Sequence, residues 1–534
     1  MTTQHSEKNT MEACDMVDIK INRDVLILGA GALGLETASR IAAQGLRVSV
    51  IGRKTACARE SGCTDAMLDS GDVTIMQDVT LYDVAGVTGD FRVTLARGPE
   101  KTEARFGAVV VAPSHARTPL NAAYGLTLND RVLSESAFGE LISREGGLDN
   151  LTRSGDDQDT VVAFLLGFGQ EGDTVSTGRI LESALAVQNK DNCRAYIYAG
   201  NVKVGAKGLE RLFTAGRHAG VVCFKPDTIP LVEQDGPRVR ISVTDPVLRT
   251  AVELEPDYVV VEEGMVVGEE NLKNAALLRI DTDIDGFLPS NNVHRFPVRS
   301  NRKGIFVVSG PGDAANAALG IQELLGKGTV TVPADQAKVD EDRCVICLTC
   351  YRSCPHGAIF WENGAAVISP AACQGCGICA GECPMDAIQI GGFSDDILRA
   401  EVEKAVVKDQ DSPSIVAFCC KNSAHGAGEA ASLFGHALPS GFRMIKVPCA
   451  GKVDVEFIMK AFVDGADGVM VAACHEGNCK AERGNIYAKW RVNEIRKRLE
   501  SMGLDKESLE FVTVASNMAG AFAAKVNAFA EKLR

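Results

Sequence analysis

Cys344-Val-Ile-Cys347-Leu-Thr-Cys350-Tyr-Arg-Ser-Cys354-Pro355 and Cys373-Gln-Gly-Cys376-Gly-Ile-Cys379-Ala-Gly-Glu-Cys383-Pro384 are two copies of one pattern, C-x2-C-x2-C-x3-C-P. Three thiolates at this spacing wrap a tight loop around one corner of a cubane, and the proline ends the loop and sends the fourth cysteine to the other cluster. The runs predict two 4Fe-4S clusters, one on Cys344, Cys347, Cys350 and Cys383, the other on Cys373, Cys376, Cys379 and Cys354. Gly375 and Gly377 let the backbone come close to the sulfurs. Zinc is the competing reading, but zinc sites usually pair two C-x2-C units across a longer spacer.

Working outward, 534 residues leave room for several domains, and 46% hydrophobic with 24% charged residues is the balance of a soluble globular chain. A net charge of -14 argues against nucleic acid or an anionic membrane surface as partner. Most of the eighteen cysteines sit in cluster-type spacings rather than in a disulfide framework. The N-terminus is polar and acidic, and no run approaches the ~18 apolar residues of a membrane span, so a cytoplasmic protein is expected, with any membrane contact made through partners.

On the N-terminal side, residues 1–23 read as a disordered tail. A strand from Asp24 to Leu28 then runs into Gly29-Ala-Gly31-Ala-Leu-Gly34, a helix to Gln44 and a second strand from Arg47 to Ile51. This order is a dinucleotide-binding unit, with the helix N-terminus facing a pyrophosphate. No acidic residue ends the second strand. Arg53 stands there instead, where it could hold a 2'-phosphate of NADP, or FAD could bind with its ribose held by backbone or water.

Gly304-Ile-Phe-Val-Val-Ser-Gly310-Pro-Gly312-Asp313, followed by a helix from Ala314 to Leu325, resembles the second FAD motif of two-dinucleotide-domain flavoproteins, in which the Asp binds the ribitol. The two ends together favour FAD, with Gly29, Gly31, Gly34, Arg53, Gly310 and Asp313 as its site. Phe106 to Ala112 similarly resembles that family's strand before an A-T-G turn, with Pro113-Ser114 in place of T-G. Between the ends, Thr160 to Leu166 and Gly167-Phe-Gly169-Gln-Glu-Gly172 form a second fingerprint. In that family this unit binds NAD(P)H, but the next strand ends in Ala199-Gly200-Asn201 without an acidic residue, and a retained scaffold is expected. Cys57 and Cys63, like Cys14, Cys193 and Cys223, read as ordinary thiols, and His115, His218 and His294 as structural histidines.

On the C-terminal side, a linker over 326–339 leads into the cysteine runs, and a helix over 394–407 follows them. From Ser414 strands and helices alternate, which implies a small parallel sheet with helices on its faces. Cys420, Cys449 and Cys474 fall at the ends of its first three strands, with Cys479 in the next loop. Strand C-termini share one edge of a parallel sheet, so these four thiols converge. They predict a third centre, most plausibly 2Fe-2S, against a structural zinc or four buried thiols. His475 could replace one thiolate, though a place behind the ligands suits it better.

At this point the residues resemble known families. From about Asp24 to Leu398 the chain resembles the A subunit of heterodisulfide reductase. From about Ser414 to Leu533 it resembles the delta subunit of methyl-viologen-reducing hydrogenase, on Phe418-Cys-Cys420, Pro448-Cys449-Ala-Gly451-Lys-Val-Asp454, Gly465-Ala-Asp-Gly-Val469 and Ala473-Cys474-His-Glu-Gly-Asn-Cys479. The fused arrangement is similar to the B subunit of the quinone-interacting membrane-bound oxidoreductase. The resemblance implies an iron-sulfur flavoprotein subunit that carries electrons between FAD, two 4Fe-4S clusters and a 2Fe-2S cluster. Its partners would be other subunits of a redox complex, in one version a quinone module and adenylylsulfate reductase. It departs from the family in two places: only Arg97 to Arg105 lies where a further ferredoxin insert would be, and Ser423 stands where the hydrogenase motif has its second cysteine.

The fold expected is α/β: a two-dinucleotide-binding-domain flavoprotein, a ferredoxin-type α+β module and a small parallel α/β domain. The expected boundaries are 24–158 with 292–330 for FAD, 159–291 for the second nucleotide-binding-like domain, 331–410 for the ferredoxin module and 411–534 for the last. The alternatives are an NAD(P)H-dependent flavin oxidoreductase, and an electron-bifurcating subunit linked to hydrogenase or heterodisulfide reductase.

Overall fold

The computed structural model describes residues 16–52, 72–151, 159–169, 172–244, 249–288, 292, 295–310, 312–333, 336–407 and 412–534. The chain forms two compact units, Met1–Ser114 with Glu269–Arg534, and His115–Gly268. Among the described residues no helix is long and apolar enough to cross a membrane.

The first unit begins with a five-stranded parallel sheet in the order Ile305–Val307, Ala108–Val111, Val25–Leu28, Val48–Gly52, Val73–Gln77. Its central strands, Val-Leu-Ile-Leu and Ala-Val-Val-Val, are buried throughout, as strands covered on both faces must be. Helices Ala32–Ala42 and Asp313–Leu325 cover one face through Leu35, Ala38, Ile41, Ala317 and Ile321. The other face packs on an antiparallel meander, Thr80–Val87, Asp90–Arg97 and Glu100–Phe106, through Leu81, Phe91 and Val93.

Met16–Lys20 is not tail but a strand paired antiparallel with Thr329–Pro333, so the supposed linker carries structure as well. The helix Glu269–Leu278, placed by sequence in the second domain, buries Ala275 and Leu278 in the first unit's core.

Ala337–Val339 pairs with Ile388–Ile390 and Ile359–Glu362 with Ala365–Ile368, and two short helices, Thr349–Ser353 and Ile378–Gly381, complete the cysteine-rich module. The last sheet is parallel throughout, in the order Phe442–Val447, Ile415–Cys420, Gly468–Ala473, Leu509–Thr513. Ala424–Leu433 and Ala519–Lys532 cover one face, Val455–Asp464 and Gly484–Ser501 the other. Asp395–Ala405, counted by sequence with the ferredoxin module, buries Leu398 and Val402 against this second face and belongs with the C-terminal sheet.

The second unit is also built on a parallel sheet, ordered Val132–Ser134, Tyr258–Val261, Thr160–Leu166, Cys193–Ala199, Val222–Phe224. It runs from 115 to 268 rather than over the expected 159–291, because Val132–Ser134 hydrogen-bonds to Val259–Val261 and His115–Pro119 to Glu263–Val267.

Candidate metal centres and dinucleotide cradles

Cys344, Cys347, Cys350 and Cys383 line one small cavity, and Cys354, Cys373, Cys376 and Cys379 line another. The structure thus brings the fourth cysteine of each run to the other run's loop. The loops turn the same way by different means. Gly375 and Gly377 take φ +59° and +79°, while the matching positions of the first run are Ile346 and Leu348 at +52° and +59°. A left-handed conformation costs a side-chain-bearing residue roughly 1–2 kcal/mol, so the first loop is the more strained. Backbone N–H groups of Ala366, Gly375 and Ala387 donate to the sulfurs of Cys344, Cys373 and Cys383 at 3.4, 3.4 and 3.3 Å, bonds of the kind that set cluster potentials.

Burial pushes the Cys376 thiol up to about 12 and raises Cys379 and Cys373 as well, a cost to the thiolates that a bound metal would offset. At the rim, hydrogen bonds from Thr349 hold Cys347 below the ordinary thiol range. Among the described residues no three His, Cys, Asp or Glu side chains converge as ligands of a single ion do. Thiolates of a cubane bond different irons and stand around a cluster instead.

Cys420, Cys449, Cys474 and Cys479 are all buried at the C-terminal edge of the last sheet, with the sulfurs of Cys420 and Cys474 3.8 Å apart. Cys420 and Cys479 hydrogen-bond Cys474 and hold it far below the ordinary thiol range, whereas Cys449 is pushed up by its own bonds to Cys420 and Cys479 and by burial. Four buried sulfurs gathered at one sheet edge are a donor set that suits a thiolate-ligated metal centre. Ser423, buried at the start of the next helix, stands beside Cys474 and helps to lower its thiol. A Cβ on Gly484 would stand 2.1 Å from the Cys449 sulfur, so only glycine fits behind that ligand. His475 turns away, with Nδ1 3.0 Å from the Thr513 hydroxyl and Nε2 3.5 Å from the Met518 sulfur, behind the thiols rather than among them.

These four cysteines share one buried cluster with Ile378, Cys376 and Tyr487, so the second run's loop packs directly on the C-terminal thiols. Glycines make the approach close: a Cβ on Gly381 would meet the Gly451 and Lys452 carbonyls at 2.7 and 3.0 Å. Buried ion pairs flank the junction. Lys452 reaches Asp395 at 2.5 Å, and Arg491 pairs with Glu382. Sequence reasoning missed both pairs. The one local signal was a lysine inside an otherwise buried P-C-A-G-K turn.

In the first dinucleotide fold, Gly29 takes φ +119°, and a Cβ there would meet the Ala112 carbonyl oxygen at 2.2 Å. Gly31 starts the helix Ala32–Ala42 with no side-chain cap, and among the described residues nothing lies within 4 Å of where its Cβ would be. That is an open, uncapped helix N-terminus, which fits a cofactor pyrophosphate. Gly34 packs on the Gly29 carbonyl. Asp313 spends one oxygen on the N–H groups of Ser309 and Gly310, at 2.9 and 2.8 Å, and so braces the second turn. Arg53 lies outside the described residues, as do Cys14, Cys57, Cys63 and His294.

In the second fold the turn is filled. The buried Glu262 carboxylate accepts from the N–H groups of Gly167, Phe168 and Gly169 at 2.6, 3.3 and 3.3 Å and from the Tyr124 hydroxyl at 2.8 Å. Asp173 caps the following helix, Thr174–Gln188, and is held by Arg117 at 2.9 Å. Two glutamates directly after Val-Val-Val were the sequence signal that a buried strand end carries charge.

Residues 415–534 match the family of the methyl-viologen-reducing hydrogenase delta subunit, and residues 337–360 and 366–389 match the 4Fe-4S binding domain. The A subunit of the ferredoxin/F(420)H(2)-dependent CoB-CoM heterodisulfide reductase of Methanosarcina acetivorans is 26% identical over 461 residues, 82% of this chain and 58% of that one. The chain therefore spans less than two thirds of that relative's length. The iron-sulfur D subunit of the vhu F420-non-reducing hydrogenase of Methanopyrus kandleri is 36% identical over 120 residues, 22% of this chain and 91% of its own. Among solved structures, T. acidophilum thioredoxin reductase overlaps 57% of this chain and 99% of its own with a TM-score of 0.36 and 15% identity, too slight to bear on function.

Proposed function

We propose that this chain, which over residues 415–534 belongs to the methyl-viologen-reducing hydrogenase delta-subunit family and before them is a relative of the heterodisulfide reductase A subunit, is an electron-transfer iron-sulfur flavoprotein subunit. The observation that carries this reading is the shared packing of Cys376 and Ile378 with Cys420, Cys449, Cys474 and Cys479. Two sets of cluster ligands that touch through one isoleucine form a continuous path for an electron. Cys344, Cys347, Cys350 with Cys383, and Cys373, Cys376, Cys379 with Cys354, hold the two 4Fe-4S clusters, and the four C-terminal thiols hold a 2Fe-2S centre.

Gly29, Gly31 and Gly34, with Gly310 and Asp313 bracing the second turn, form the FAD site. Bound FAD supplies the exchange between two-electron and one-electron chemistry. The protein's own work is to hold spacing, burial and N–H···S bonds. Partners are other subunits of a cytoplasmic redox complex. Anaerobic reconstitution followed by iron, sulfide and flavin counting tests the reading. It requires iron for two cubanes and a binuclear centre with one FAD per chain; iron for the cubanes alone removes the C-terminal centre, and absence of flavin removes the FAD site.

A further inference from the structure

A two-dinucleotide flavoprotein uses its second fold for NAD(P)H, and the residues of the second unit do not fit one. A pyrophosphate at such a fold is held by N–H groups of the glycine turn and of the first turn of the next helix, which offer partial positive charge and unsatisfied donors. Here both sets are taken. The turn donors at Gly167, Phe168 and Gly169 all point at Glu262, which is only 2% exposed and gains a fourth hydrogen bond from Tyr124. The helix donors at Val175 and Ser176 point at Asp173, at 2.8 and 3.1 Å.

In the first unit the corresponding first donor, the Gly29 N–H, goes to the Ile51 carbonyl at 2.8 Å and not to a carboxylate. There Leu28, directly before the first glycine of the turn, lies opposite Val111, an apolar side chain that accepts nothing; in the second unit Val261 lies opposite Leu165, which sets Glu262 beside Leu166, directly before Gly167. The helix of the first fold starts on uncapped Gly31, whereas that of the second starts on Asp173. A dinucleotide would have to displace a carboxylate with four hydrogen bonds, strand it in a buried site, and then sit beside Asp173. Each of those steps is unfavourable, because a buried charge stripped of its donors is costly and like charges repel.

We infer that Glu262 closes the second unit to NAD(P) by acting as a built-in anion in the pyrophosphate's place. Asp173, itself fixed by Arg117, seals the helix end. The consequence for function is that NAD(P)H bound in this unit does not supply the chain's electrons. The inference concerns ligand binding by the second unit and stands or falls separately from the flavin count.

The test is calorimetric titration of NADPH and of NADH into the full chain, reconstituted without oxygen, as wild type and as Glu262→Ser. The wild type should give no binding, and the serine variant, with turn donors freed and a charge removed, should bind NADPH at least about tenfold more tightly than wild type. Far-UV circular dichroism and unchanged iron content establish that the variant is folded. Wild-type binding of either nucleotide overturns the inference whatever the variant does. A folded Glu262→Ser that gains no affinity overturns the assignment of the seal to Glu262. Tyr124→Phe, which removes one donor to the carboxylate and frees none of the backbone groups, should leave the second unit closed, and nucleotide binding by it would likewise contradict the account.

Discussion

Lys452→Met perturbs the junction between the second cysteine run and the C-terminal sheet without changing the shape of what packs there. Lys452 is 1% exposed, its Nζ 2.5 Å from Asp395 Oδ1 and 4.8 Å from the centre of the Phe457 ring. Its stem fills the space beside Gly377, where an added Cβ would meet the Lys452 Cβ at 2.9 Å. Methionine keeps that stem and deletes the charge. Asp395 then loses its counterion but keeps the Gln389 amide at 2.6 Å and the start of its own helix. Breaking one side of a buried pair costs roughly 3–5 kcal/mol, and the two remaining partners place this case at the lower end, about 3 kcal/mol. Lys452→Met with Asp395→Asn removes both charges and should recover much of the loss, a coupling of about 2 kcal/mol in a double-mutant cycle. Urea unfolding of the anaerobic protein, followed by far-UV circular dichroism, reads all four corners of the cycle. A single variant within about 0.5 kcal/mol of wild type, or a double variant no better than the sum of the singles, would refute the reasoning.

Gly484→Ala puts a Cβ where the Cys449 sulfur lies only 2.1 Å away, and should strip the C-terminal centre while both cubanes still assemble, as read by iron content and electron paramagnetic resonance. The Cβ of Gly31→Val meets nothing within 4 Å among the described residues, so the fold and iron content should stay and flavin affinity fall by about tenfold or more, measured by flavin release on dilution. Gly381→Ala drives a methyl group into the Gly451 and Lys452 carbonyls; overpacking against backbone costs about 1–3 kcal/mol and should lower the urea midpoint.

The cysteine runs were legible because cluster ligation is local: spacing within a dozen residues decides which sulfurs share a loop. The C-terminal thiols were legible for a different reason, since Cys420, Cys449 and Cys474 follow apolar strands of a parallel sheet and the topology delivers them to one edge. What sequence could not show depends on pairing across long separations. Val132–Ser134 joins the second unit only because Val259–Val261 lies beside it, and nothing in three residues announces that. Met16–Lys20 is mostly exposed and lacks the alternation of a half-buried strand, so its pairing with Thr329–Pro333 was invisible. Asp395–Ala405 shows a clear apolar stripe, Leu398 and Val402, but a stripe does not say which sheet it will cover. Glu262 and Lys452 were opaque because a buried charge is intelligible only beside its partners, which arrive from 95 and 57 residues away.

The claim on which the rest depends is that the second cubane and the C-terminal centre are neighbours joined through Cys376 and Ile378. Electron paramagnetic resonance of the fully reduced protein, compared with Cys474→Ser, reads it directly. Neighbouring paramagnets predict a broadened, fast-relaxing cubane signal that sharpens and slows when the C-terminal centre is removed. A wild-type spectrum equal to the sum of independent centres, unchanged in relaxation by Cys474→Ser, would contradict it.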